Sequence, residues 1–573
     1  MKRIILVFML SVPFYAGAQT KTFKERVLQL VVNNHSGPNF AVVSVKLRLG
    51  VDVEAAYKQL DTLLARPYGD MFWMYGCAGL YLATQDVLRP EYKARVRECW
   101  KHFTPYRGDT ENHFLMYYGS LLLMSEMWPD VNEQEWFTGQ SSKEIHEQAK
   151  DYLDHWIDET VKNGQIEWDS PRYAYYFITP LVLLANYERD TTLKRRFKMM
   201  LEYELADYAI DYLDGNYCGA HSRVSDQAAI DPKSAEATSY GEYFFADTVS
   251  HLQPDIAFAA LGSFSCPEII RSIATDRSKP YFSLELKRGR TTIRGSDVRN
   301  AAVYKRSYMT SEFCLGSMQG GIVQPIQQQS WSLVFKSKQP NNIIFSLHPN
   351  VDSNELAMFF PEEPSFMMER ISSVKAGYPS ENKWVGGSPY EHIYQTEHQL
   401  VAHYEIPKEA KYHHVDLFIP HNREVVFLSN GSLSADRNGW IKLRCNKTLV
   451  GIHVPSGGEW SDEGSHYRVR FNRDTVMIWL IAEVLGDRDP NQLARAFTNA
   501  QPIVKGNSRE FKQPFHDDER ILLNEGSEPK PKESMENMLF DSPFMTSRAG
   551  SGMLELHTQK EKLTLDFNKN VEY

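Results

Sequence analysis

Cysteine is scarce in this chain: six in 573 residues, at 77, 99, 218, 266, 314 and 445, with no C-x-x-C pair. That scatter excludes the common zinc and redox motifs. An oxidising compartment would permit a disulfide, but no pairing follows from the spacing, and buried free thiols are the expectation. An excess of positive charge is also missing. Lys and Arg number 63 against 73 Asp and Glu, a net charge of −10. This argues against nucleic acid as the main partner, although a local cluster of His, Arg and Lys can still hold an anionic polysaccharide. No apolar run after the N-terminal segment approaches the ~20 residues that a membrane-crossing helix needs. No repeat consensus is visible, which disfavours the common solenoids.

The first residues have their own character. Lys2 and Arg3 precede the short apolar run Ile4–Tyr15, and Ala16-Gly17-Ala18 offers a small-residue cleavage site. This is the pattern of a secretory signal over 1–18. No Cys follows it, so a lipoprotein is not expected; the mature chain would start at Gln19, exported and periplasmic in a Gram-negative source. The length gives room for two domains or more, and 42% hydrophobic residues support sizeable cores. Aromatic residues reach 12%, which is high. Tyr and Trp suit the face of a sugar ring, but most aromatic side chains simply fill cores.

Helical periodicity dominates the first half. Val53–Leu64, Met71–Thr84, Glu91–His102, Phe114–Met127, Ser142–Lys162, Tyr173–Glu188 and Thr192–Leu213 all carry apolar residues at helical spacing. Short Pro-, Gly- and Asp-bearing links imply antiparallel neighbours that form an open superhelix or close into a toroid. Near Lys279-Pro280 the period changes to alternation. Phe282–Leu286, Thr291–Arg294, Trp331–Phe335, Asn342–Leu347, Leu400–Tyr404, Val415–Ile419, Trp440–Arg444 and Arg468–Phe471 read as strands of an antiparallel sandwich. Residues 504–550 read as an irregular surface segment, and Met553–His557 with Leu563–Phe567 as a closing hairpin. The expected class is α+β and multidomain: a helical domain over 19–278, a β-sandwich over 279–503, and 504–573 completing the sheet.

Three stretches carry the chemistry. The first is Asp109–Ser120, where Glu111, Asn112, His113, Tyr117 and Tyr118 lead into an apolar helix. A His titrates near neutral pH, an amide can bind a carboxylate, and a tuned phenol can move a proton. The same residues also fit a capped helix with core aromatics. The second is Glu167–Tyr176, with Asp169 or Ser170 as cap, Pro171 in the first turn, and Tyr173 and Tyr176 on one face. The third is Gly215–Arg223, where Tyr217, His221 and Arg223 stand on a loop after a helix stop. An Arg there can clamp a carboxylate with two hydrogen bonds. Tyr240 can join the same mouth, while Gln327–Trp331 and a segment with Trp384 and Tyr390 can roof it or form an ordinary hairpin.

The signal segment, Asn112-His113, the Tyr-rich stretch, Gly219-Ala-His-Ser-Arg223 and the later sheet half together resemble exported polysaccharide lyases. The similarity is to the heparinase II/III-like, alginate lyase-like and chondroitin AC lyase-like groups. It implies an (α/α) toroid followed by an antiparallel β-sandwich over nearly the whole mature chain. It also implies β-elimination on a uronic-acid polysaccharide, with Asn112 and His113 neutralising the carboxylate. Tyr173 or Tyr176, and His221 with Arg223, are looser matches, so the base stays open. Glu111 and Asp169 are the carboxylates of the alternative, an inverting glycoside hydrolase, together with Glu167. The substrate-binding set is Arg223, Tyr117, Tyr217, Tyr240 and Trp384. A non-catalytic glycan binder is a third class, disfavoured by so many titratable groups at helix junctions. No cofactor or metal is expected.

Overall fold

The computed structural model describes residues 22–65, 68–108, 110–288, 302–320, 327–350, 381–428, 433–524 and 537–573. The signal segment and the expected strand Thr291–Arg294 lie outside these residues.

Among the described residues, nine long helices come first: α1 (Phe23–Asn34), α2 (Phe40–Leu49), α3 (Val53–Leu64), α4 (Met71–Thr84), α5 (Pro90–His102), α6 (Glu111–Met127), α7 (Ser142–Asn163), α8 (Tyr173–Tyr187) and α9 (Thr191–Ile210). Their sequences sort into two kinds. Helix α7 has one apolar stripe, with Ile145, Ala149, Leu153, Trp156, Ile157 and Val161 buried, as a helix with one wet face requires. Its start is fixed by a capping box of Ser141 and Glu144. Helices α4, α6 and α8 are buried almost all round. Packing follows the same division. Helix α2 packs on α4, α4 on α6, α6 on α8, α8 on the short helix Ile256–Leu261, and that helix back on α2. The contact is tight enough that a Cβ at Gly79 of α4 would stand 2.6 Å from the Phe258 ring.

The second half is antiparallel sheet. Thirteen strands form one sheet and six another, and three more, Ile503–Lys505, Ser508–Lys512 and Arg520–Asn524, form a small third. The central strands of the large sheet are buried on both faces. In Trp331–Phe335, Leu333 and Phe335 enter a core shared with the six-stranded sheet, whereas Val334 faces the helices. Ile343, Ile344 and Phe345 alternate likewise. The outer face of the six-stranded sheet, with Trp440 and Trp479, is covered by Phe511, Ile521 and Leu523 of the small sheet and by Phe497. The molecule is therefore layered: helices, large sheet, middle sheet, small sheet.

Apart from Thr291–Arg294, the helices and strands read from periodicity are present to within a few residues, whereas α1, α2 and the strands Val303–Met309, Phe313–Gly320, Thr448–His453 and Thr475–Val484 are not among them. The region after 503 departs from expectation. It carries the small sheet, and Met538–Asp541 pairs with Tyr281–Lys287 inside the large sheet. The closing hairpin Met553–His557/Lys562–Asp566 is present and extends that sheet. Among the described residues, no helix is long and apolar enough to cross a membrane. All six cysteines are free thiols, five of them buried.

Candidate functional site

The N-terminal turns of α4, α6 and α8 meet at one end of the helical layer. Phe72 of α4 touches the His113 ring of α6 edge-on at 5.8 Å and the Tyr176 ring of α8 edge-on at 4.9 Å. His113 and Tyr176 are both half-buried. Gly108, with φ of +82°, passes so close to His113 that a Cβ there would collide with the imidazole. Burial pushes the Tyr176 phenol up to about 12, against the opposing pull of Arg172. It is therefore protonated at neutral pH. Arg172, at the start of α8, pairs with Glu236 at 3.3 Å and lies 5.9 Å from the Tyr173 ring. Three helix N-termini therefore converge here, with Asp70 capping α4, Glu167 at the start of α6 and Ser170 at the start of α8.

Beneath that surface the polar groups are committed to one another. Glu167 accepts from the Asn112 backbone N–H at 2.9 Å and from the Asn112 side-chain amide, and it pairs with Arg223. Burial raises its carboxyl, but Arg223, the Asn112 N–H and His113 outweigh that and hold it below its ordinary value. The other amide hydrogen of Asn112 goes to Thr110 at 3.1 Å, and its Oδ1 is buried with no hydrogen-bond partner. Arg223 also donates to Tyr173 Oη at 2.9 Å and Gln327 Oε1 at 3.1 Å, with its guanidinium 4.0 Å over the Tyr173 ring. Glu111 accepts from Trp156 Nε1 at 3.0 Å and from the backbone N–H groups of Ile166 and Glu167 at 3.0 and 2.8 Å. Burial raises its carboxyl, moderated by Arg288.

One layer deeper lies a fully buried ion cluster between α9 and the large sheet. Lys287 reaches Asp207 at 2.7 Å, Glu285 at 2.8 Å and Asp169 at 3.1 Å. Lys305 reaches Asp169 at 2.5 Å and also pairs with Asp211 and Glu285. Four carboxylates face two ammonium groups, so protonation must supply the balance. Burial pushes Asp211 up to about 7 despite Lys305, and raises Asp207 further. Asp169 is the exception: both lysines outweigh burial and hold it well below the carboxylate range. Its backbone is left-handed, with φ of +45°. In that conformation its side chain accepts from Tyr217 Oη at 2.9 Å and its carbonyl from His221 Nδ1 at 2.5 Å. Burial, then Lys305, pushes His221 down to about 4, so it is a neutral imidazole whose lone pair sits on Nε2.

The residues singled out by sequence thus divide. His113 and Tyr176 come together at a half-buried surface. Asn112, Tyr173 and Arg223 lie under it as one hydrogen-bonded unit, in which Arg223 pairs with Glu167 and both Asn112 amide hydrogens are taken. Glu111, Asp169, Tyr217 and His221 are buried and hold backbone or ions. Tyr240 is not at the mouth: it is fully buried, bonded to Thr179 at 2.9 Å and packed on Tyr175 and Phe244. Tyr117 is half-buried beside Tyr118, its phenol pushed up to about 12 by burial. Trp384 packs on Phe418 at 5.0 Å and under Arg468. Its neighbours do reach the loop, because Val385 shares a small core with Val224 and Gly386 bonds to Gln328. The Gln327–Gln329 strip pairs with His221 and Val224 through backbone hydrogen bonds of 2.8–3.0 Å, which fixes the 219–224 loop. Phe72, Arg172 and Glu236 escaped the sequence reading. A signal was present for Arg172 alone, which adjoins Tyr173 at a helix start.

No protein-family model matches the chain, and no curated protein is similar to it in sequence.

Proposed function

We propose that this end of the helical layer is the active site of an exported enzyme that cleaves a uronic-acid polysaccharide by β-elimination. One observation carries the choice of chemistry. The half-buried groups at this end are an imidazole, a protonated phenol and an arginine paired with a single carboxylate, Glu236, whereas Glu111, Glu167 and Asp169 are all buried and bound to N–H groups or cations. Hydrolysis of a glycoside needs two carboxyl groups facing the scissile bond. Elimination needs instead a base for the C5 proton, charge compensation at the uronate, and an acid for the leaving oxygen.

In this reading His113 takes the C5 proton. Arg172 and the N-terminal turns of α4, α6 and α8 compensate the carboxylate, which makes that proton acidic enough to remove. Electrostatic donors of this kind are worth about 3–4 kcal/mol each. Tyr176 gives its proton to the departing glycosidic oxygen, a role suited to a phenol whose pKa is high. The Asn112–Glu167–Arg223–Tyr173 unit positions these groups and does not touch substrate.

The closed sequence of contacts from α2 through α4, α6, α8 and Ile256–Leu261 back to α2 supports the inner ring of an (α/α) toroid, with α3, α5 and α7 outside it. The layered sheets support the sandwich that such lyases carry. The leader-like pattern of 1–18 supports export. Incubation with a set of uronate-containing glycans tests the reading. Ultraviolet absorbance of an unsaturated uronate, at the mass of the elimination product, is expected. A product heavier by one water, with no absorbance, would identify a hydrolase and sink the proposal.

A further inference from the structure

The arginines around the start of α6 differ in what they hold. Arg172 pairs with Glu236 and Arg223 with Glu167, while Arg288 stands 3.7 Å from Glu111 and 3.3 Å from Glu159. Arg107 has no carboxylate partner among the described residues. It is exposed, in the link that leads into α6, and its guanidinium lies 4.6 Å over the Phe114 ring. The next residue is Gly108, which runs against the His113 imidazole. The link therefore lays an uncompensated cation on α6, beside His113.

Little of α6 reaches the surface. From Glu111 to Ser125 every residue is buried except His113, Phe114 and Tyr117. Tyr117 comes one turn after both of the others and adjoins them on the helix surface. Tyr152 of α7 continues this patch. It is half-buried, meets the Phe114 ring edge-on at 5.8 Å and stacks on Tyr118 at 4.2 Å. Burial raises the Tyr117 and Tyr152 phenols, and Arg107 is close enough to both to oppose that rise.

Two kinds of group thus stand together. Aromatic side chains with a polar edge suit the apolar face of a pyranose ring. A guanidinium takes a carboxylate through two parallel hydrogen bonds. The contact with Phe114 anchors the Arg107 cation, and among the described residues no hydrogen bond uses its N–H groups. The chain carries a net charge of −10, so an acidic ligand meets least repulsion where a cation has no partner of its own.

We propose that Arg107, Phe114, Tyr117 and Tyr152 form a subsite for a second acidic sugar of the polysaccharide, next to the uronate that His113 attacks. Arg107 takes the carboxylate of that sugar, and the rings carry its apolar face. The inference rests on the elimination reading for what lies beside the subsite, but binding there needs no chemistry and is measured without it.

The test uses the whole chain carrying Tyr176→Phe, which slows turnover and leaves Arg107 and α6 as they are. Calorimetry measures binding of oligogalacturonate, oligomannuronate and hyaluronan hexasaccharides, with cellohexaose as the uncharged control. At least one acidic hexasaccharide is expected to bind, more weakly as salt rises, and cellohexaose is expected not to bind. Adding Arg107→Gln should weaken that binding about tenfold or more, the worth of one hydrogen-bonded charge pair. Arg107→Lys keeps the charge and loses the fork, so it should weaken binding less. Arg107 is exposed, so both variants are expected to fold, which circular dichroism checks. No binding of any acidic hexasaccharide at millimolar concentration would overturn the subsite. So would equal binding of cellohexaose, or an affinity that Arg107→Gln leaves unchanged. The two readings fail separately. Arg107-dependent binding by a chain whose Tyr176 form releases no unsaturated product sinks the elimination reading alone. Elimination with an affinity indifferent to Arg107 sinks the subsite alone.

Discussion

His113 and Tyr176 differ from their polar neighbours in being only half-buried, and that difference governs what substitution does. His113→Ala and Tyr176→Phe are expected to lower turnover at least about 100-fold, the usual contribution of a positioned acid or base. Tyr176→Phe should leave the melting temperature within a degree or two, since it keeps the ring that packs on Phe72. Steady-state kinetics on the best uronate substrate and a thermal melt check both halves. Arg223 should behave in the opposite way. Its fork holds Glu167, Tyr173 and Gln327 at once, so Arg223→Lys loses geometry while keeping charge. Arg223→Met would leave Glu167 buried without its cation, at about 3–5 kcal/mol. A fall in Tm is therefore expected before any change in KM; a normal melt with a raised KM would return Arg223 to the substrate. Residue type and helix-start position made His113 and Tyr176 legible in the sequence. Burial did not show there. Nothing in Glu111-Asn112 or Gly219–Arg223 distinguishes a group facing a cleft from one facing another carboxylate.

At the level of elements, α9 joins the helices to the large sheet and carries the buried acids Glu202, Glu204 and Asp207, with Asp211 at its C-cap. Glu204, on its inner face, is pushed up to about 8, mainly by burial and then by Glu111 and Asp169. The folded chain therefore keeps a proton that the unfolded chain releases near 4.5. Between those values the native state binds more protons, so stability falls as pH rises through the window. Glu202, also pushed to about 8 by burial, adds to the same trend. Glu204→Gln fixes the neutral form. It should raise Tm at pH 8 by a few degrees, about 1 °C for each kcal/mol relieved in a single transition of a chain this long, and change it little at pH 5. Melts at the two pH values check this, and an equal shift at both would show that the carboxyl is not titrating in the folded chain. The helical elements themselves were legible because the period of apolar residues separates one-striped α7 from all-round apolar α4 and α8. The ion cluster under α9 was not, since Lys287 falls just past the run read as Phe282–Leu286, and Lys305, on the same sheet face, lies in Val303–Met309, which is not among the strands read from alternation. Only the packing of a whole helix over that face buries them.

For the whole molecule, the decisive fact is that the central strands of the large sheet are buried on both faces. Val334, Ile343, Phe345, Phe418, Phe540 and Met545 belong to the same core as the helices, and Lys287 and Lys305 send their charge into that layer. The change of period near residue 280 marks where secondary structure changes. It does not mark a boundary across which the chain separates, and the pairing of Met538–Asp541 with Tyr281–Lys287 ties the C-terminal strands to the first strand of the sheet. Local pattern cannot reveal that, because the partners are far apart in sequence and each run reads the same whichever neighbour it has. A fragment ending at residue 278 would expose the apolar side of α9 and leave Asp169, Asp207 and Asp211 facing water without Lys287 and Lys305. It is expected to be insoluble or to bind a hydrophobic dye with no cooperative melt, whereas the whole chain melts with helix and sheet signals lost together. The reverse result, a soluble fragment with a sharp transition of its own, would mean that the helical layer folds first and alone. The cluster around Lys287 would then be a docking contact formed afterwards, and Lys305→Met should weaken the union of two folded parts. If the shared core governs, Lys305→Met should instead lower a single transition by about 3–5 kcal/mol, because it strands Asp169 and Asp211 in a region that water does not reach.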